Sequence, residues 1–215
     1  MKEQSNRTRQ IYIGIVAVLA WGALAVQFYL MLNNRVAPIP ETLIRFFSYF
    51  TIQSNLLVAI CASSFFLNPG STLYRFFTKI NTIAAITVYI TIVGVVYNTI
   101  LRFIWEPTGS QKVVDELLHL IIPILFILFW LFFVPNKRME WKSIVPWMIY
   151  PVVYLIYVLI RGALSGFYPY PFLEVPKIGY SKTLINCFFI ALLFFLFSLV
   201  FVWLARWKTN KPAGN

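Results

Sequence analysis

Charge is scarce in this 215-residue chain. Only 12% of its residues are Asp, Glu, Lys or Arg, against about a quarter in soluble domains, so a water-facing coat cannot be assembled from them. Acids are the scarcest: 7, against 18 cations. A single histidine, His119, excludes a bis-histidine haem carrier. Two cysteines and no Cys–His cluster leave nothing to hold zinc, and the HExxH and GxSxG patterns are both missing. No row of acids runs through an apolar stretch, as a proton pump would need. No segment alternates apolar and polar residues, so a β-barrel is excluded too. No metal and no cofactor is implied.

What remains is apolar: 60% of the residues are hydrophobic. A helix needs about 20 such residues to cross the hydrocarbon core. Six stretches qualify, about 11–32, 44–66, 82–101, 113–134, 144–162 and 182–204. The expected architecture is therefore all-α, a polytopic six-transmembrane-helix bundle forming one domain over residues 1–215. Ala23-Leu24-Ala25 resembles a signal cleavage site. However, the first apolar run outlasts the usual 7–15-residue signal core, which predicts a retained span.

Cation placement predicts both termini inside. Lys2, Arg7, Arg9, Arg75, Lys79, Lys137, Arg138, Lys142, Arg206, Lys208 and Lys211 then face the cytoplasm, eleven against seven outside. These charges are spread over loop ends, which suits anionic lipid headgroups as partners and excludes a compact nucleic-acid-binding surface. Cys61 and Cys187 fall at opposite ends of their spans, too far apart to pair, and read as small packing residues. The short basic loops at 67–80 and 135–143 suit cytoplasmic hairpins. The longest connection, about 162–181, is external. Its Phe167-Tyr168-Pro169-Tyr170-Pro171-Phe172 run excludes a regular helix and forms either an interfacial aromatic belt or a cover over the outer mouth.

Polar residues within the spans each call for a reason. Ser48, Thr51 and Asn55 recur at i, i+3 and i+7, one face of the second span, with Gln53 and Ser54 beside them. In the fourth span Asp115 and Glu116 precede His119 by four and three residues, so either carboxylate can reach the imidazole and fix its tautomer. Pro123 withholds the N–H that would bond the His119 carbonyl and should bend the helix there. Counted from the outer boundary at about 1.5 Å per residue, Thr51 and His119 both lie about 10 Å deep. A hydroxyl and an imidazole at matched depth suit a nucleophile and its base. Asn98 and Arg102 in the third span, and Tyr150, Tyr154, Tyr157 and Arg161 along one stripe of the fifth, complete a candidate pocket. Arg102 or Arg161 either grips a substrate carboxylate or phosphate or reaches out to lipid headgroups.

Phe50-Thr51-Ile52-Gln53-Ser54-Asn55, His119, Asn98-Thr99-Ile100-Leu101-Arg102 and Tyr168-Pro169-Tyr170-Pro171-Phe172 together resemble the androgen-induced gene / androgen-dependent TFPI-regulating protein family, in its bacterial six-span branch. The resemblance implies a bacterial plasma-membrane hydrolase of lipid esters, such as fatty acid esters of hydroxy fatty acids. Thr51 falls on the family's nucleophile and His119 on its base. Asp115 or Glu116 then orients the imidazole, Asn55, Gln53 or Asn98 donates to the oxyanion, and Ser48 lies beside the nucleophile. Arg102, Arg161 and Tyr157 stand as substrate-binding candidates. The competing function is a non-enzymatic lipid-binding or transport protein whose polar face takes a headgroup.

Overall fold

The computed structural model describes residues 2–210. Lys211 and the side chain of Lys2, counted above for orientation, lie outside the described residues. Among the described residues every regular element is helical. Five helices are long and apolar enough to cross a membrane, and the number is six if one bent pair is a single span.

Two compact units emerge, one of residues up to Phe46 with Phe50–Pro135, the other of Phe47–Tyr49 with residues from Asn136 onward. The first holds α1 (Lys2–Asn33), most of α2 (Ile39–Ser48), α3 (Phe50–Ser64), α4 (Thr72–Phe77), α5 (Ile80–Thr99), α6 (Gly109–Glu116) and α7 (Ile122–Phe133). Here α5 is the core element. It is apolar on every side and buried along most of its length, as expected of a helix with no polar face. It packs against α3 and α7, while α1 packs on α3. The loop expected over 67–80 contains α4, which Ser71 caps by accepting the Tyr74 N–H at 3.2 Å. Cys61 is buried, with its thiol on the Phe77 carbonyl at 3.4 Å.

The second span departs most from its sequence reading. Instead of one helix over 44–66, α2 and α3 meet at Tyr49 with a 73° bend. Neither proline nor glycine sits at the break. The Ser48 carbonyl accepts from the Tyr154 hydroxyl at 2.9 Å, and Ser48 Oγ shares a 2.8 Å hydrogen bond with the Tyr157 hydroxyl. Groups inserted at a helix end in this way satisfy carbonyls that the next turn would have used.

In the second unit α8 (Ile144–Ser165) packs on α9 (Val175–Asn210). Gly166 closes α8 in the left-handed region, at φ 71°, where a side chain would be strained. The connection is shorter than expected, because helix resumes at Val175 and is interrupted only at Gly179. Its aromatics are packed rather than splayed. The Tyr168 ring lies on Gly162 of α8, Tyr170 stacks on Phe172 with centroids 5.2 Å apart, and Tyr49 meets Phe167 and Tyr170 edge-on. The Phe172 carbonyl accepts from Asn186 of α9 at 2.8 Å.

A Cβ added at Gly162 would stand 2.1 Å from the Tyr168 ring. Gly162→Ala should therefore cost about 1–3 kcal/mol, read as a lower thermal midpoint in detergent. Tyr168→Ala in the same chain should recover part of it. A wild-type midpoint for Gly162→Ala would mean that the loop is not docked there.

Candidate active site

The site is organised by one missing hydrogen. Between α6 and α7, residues Leu117–Ile121 wind as a π-helical turn, with the Ile122 N–H bonded back to the Leu117 carbonyl. Pro123 lies just beyond and has no N–H to give. In α-helical register the acceptor left waiting is the His119 carbonyl, and in π register it is that of Leu118. Both are satisfied from other helices. Asn98 of α5 donates to His119 O at 3.1 Å, and Asn55 of α3 donates to Leu118 O at 3.1 Å. Each amide spends its second hydrogen on its own helix, Asn98 on Gly94 O at 2.8 Å and Asn55 on Thr51 O at 2.9 Å. Gly94 permits the approach, since a Cβ there would meet His119 O and Pro123 Cβ, both at 3.3 Å.

His119 is oriented by its own helix. Its Nδ1 lies 2.9 Å from the Asp115 carbonyl oxygen. A carbonyl only accepts, so Nδ1 carries a hydrogen, and in the neutral ring it is Nε2 that presents the lone pair. The Asp115 carboxylate stands beside this contact, Oδ1 3.4 Å from Nδ1, and its Oδ2 accepts from the Tyr97 hydroxyl. The Tyr97 ring stacks on the imidazole with centroids 4.0 Å apart and planes 17° from parallel. Asp115 is only 5% exposed, so those partners are what make its burial tolerable.

The two carboxylates that could have served His119 divide their roles. Asp115 takes the imidazole. Glu116 turns to Arg102 and fills its guanidinium fork, at 2.7 and 2.8 Å. Arg102 Nε donates to Asn98 Oδ1 at 2.9 Å, and its guanidinium lies over the Tyr97 ring at 5.3 Å. The paired donors that a substrate carboxylate would use on Arg102 are thus occupied in this structure by an internal carboxylate. Both amide hydrogens of Asn55 and of Asn98, the expected oxyanion donors, are likewise committed to backbone carbonyls here.

Thr51 is buried in the first turn of α3. The 73° bend voids the depth comparison made along a straight second span. The Thr51 and His119 turns are connected through Asn55, whose one nitrogen reaches the carbonyls of both Thr51 and Leu118. Ser54 Oγ and Asn55 Oδ1 are fully buried with no hydrogen-bond partner, and Gln53 beside them is half-buried.

Thr51, Asn55, Asn98, Arg102, Asp115, Glu116 and His119 thus belong to one unit. Ser48, Tyr157 and Arg161 belong to the other. There Tyr157 bonds Ser48, and the Arg161 guanidinium lies over Phe167 at 5.7 Å. The supposed Ser48–Thr51–Asn55 stripe is therefore broken at Tyr49. Tyr97 and Gly94 escaped the sequence reading. Their signal was present, since Gly94, Tyr97, Asn98 and Arg102 follow i, i+3, i+4 and i+8 along one face.

No protein-family model, no curated protein and no solved structure matches this chain.

Asn98→Leu and Asn55→Leu each strand a buried carbonyl beside Pro123. Each should lower stability by about 1–2 kcal/mol, measured by thermal or denaturant unfolding in detergent. Pro123→Ala, which restores an N–H, should soften both losses.

Proposed function

We propose that this protein is a membrane-embedded hydrolase of lipid esters, with Thr51 as nucleophile and His119 as general base. One observation carries the reading: the only histidine is held part-buried with Nδ1 on the Asp115 carbonyl, so that Nε2 of the neutral ring is the proton acceptor, one asparagine away from the Thr51 turn. The resemblance to the androgen-induced gene / androgen-dependent TFPI-regulating protein family supports the same two residues.

In this mechanism Nε2 removes the Thr51 hydroxyl proton as the oxygen attacks the ester carbonyl carbon. The imidazolium then gives that proton to the departing alcohol as its C–O bond breaks, leaving an acyl-threonine. Water cleaves it by the same exchange in reverse. Thr51 lies at the start of α3, where the positive end of the helix dipole favours an oxyanion forming beside it. With Arg102 held by Glu116, substrate selection falls on the ester and its apolar chains more than on a free carboxylate. Fatty acid esters of hydroxy fatty acids are the class that the resemblance suggests. The setting is the plasma membrane of a bacterium, with membrane lipid around the helices and both termini in the cytoplasm.

A second reading, a lipid-binding or transport protein without catalysis, draws on the 73° bend, which removes the matched depth of Thr51 and His119. A fluorophosphonate probe separates the two. Hydrolysis predicts covalent labelling of the purified protein that disappears in both Thr51→Ala and His119→Ala, together with turnover in a panel of lipid esters. An unlabelled protein that leaves the whole panel intact belongs to the second reading. Orientation has its own test. With Cys61 and Cys187 replaced by alanine, Asn136→Cys should react with an impermeant maleimide only after the cells are opened, whereas Ser165→Cys, at an exposed position, should react in intact cells.

A further inference from the structure

The histidine of the proposed site is held by a residue outside the nucleophile–base pair. We propose that Tyr97 is the positioning residue for His119, fixing the imidazole plane with its ring and the Asp115 carboxylate with its hydroxyl. Tyr97 is itself buried, 4% exposed. Its ring covers the imidazole at 4.0 Å, and its hydroxyl bonds the Asp115 oxygen that does not face Nδ1. A phenol supplies both contacts at once. Phenylalanine would stack but leave a buried carboxylate oxygen without its donor. Leucine would do neither, freeing the ring to turn and exchange tautomers.

Tyr97 is in turn held from the segment it serves. The Arg102 guanidinium lies over its ring, and Glu116, next to Asp115 in the chain, holds Arg102 through both oxygens. The two neighbouring carboxylates thus anchor on Tyr97 and Arg102 of the facing helix and its terminal turn, and the circuit closes on His119. A ring confined in this way keeps Nδ1–H on Asp115 and Nε2 exposed to a reacting group. When Nε2 gains a proton, the new charge faces the Asp115 carboxylate, whose far oxygen Tyr97 already satisfies.

The kinetic consequence rests on the hydrolase reading, but the claim about the ring does not. His119 is the only histidine, so its ring nitrogens are directly observed by ¹⁵N NMR of histidine-labelled protein in detergent. The wild type should show one neutral tautomer, protonated at Nδ1, and Thr51→Ala should leave it unchanged. Tyr97→Leu should add a second population protonated at Nε2 and slow fluorophosphonate labelling about tenfold. Tyr97→Phe should retain one tautomer but shift the Nδ1 resonance, because the adjacent carboxylate loses its donor. An unmoved ring in Tyr97→Phe, or in a folded Tyr97→Leu, overturns the proposal whatever the activity. A ring disturbed in both variants of a protein that the probe never labels keeps the positioning role and removes the hydrolase.

Discussion

Proline's missing N–H is the constraint around which the first unit is built. A helix crossing an apolar medium must satisfy its backbone internally or borrow partners from neighbours. At Pro123 the ladder fails over one turn, and two carbonyls take donors from α3 and α5 instead. The same contacts hold three helices together at the depth of His119. Gly94 has no side chain because the Pro123 turn occupies that space.

Chemistry follows from this repair. A π turn displaces His119 from the position a straight helix would give it and keeps it four residues after Asp115, with Nδ1 on that residue's carbonyl. The charged groups nearby are paired internally, Asp115 with His119 and Tyr97, Glu116 with Arg102. Uncompensated charge in this setting would be costly. The resulting cluster has few degrees of freedom, with the imidazole held at Nδ1.

Much of the fold was legible before any coordinates. The apolar runs located the helices to within a few residues at most ends, since hydrocarbon thickness sets a length that composition must meet. Pro123 announced a disturbance beside His119, and the i, i+4 spacing announced Asp115 as its partner. The break at Tyr49 was illegible, because no proline or glycine marks it and the hydroxyls that bond Ser48, those of Tyr154 and Tyr157, lie more than a hundred residues away. That omission undid the depth match between Thr51 and His119 and the continuity of the Ser48–Thr51–Asn55 stripe.

By itself the sequence determined helical class, approximate spans and the short list of polar residues that an apolar chain had to justify. It determined these because periodicity, length and the cost of burying polarity are local properties. Tertiary structure decided which carboxylate serves the imidazole, that Arg102 is spent on Glu116, that Asn55 and Asn98 repair a backbone, and that Tyr97 belongs to the site. Those outcomes depend on which helices face each other. Spacing along one helix limits a side chain's reach but does not choose its partner on another.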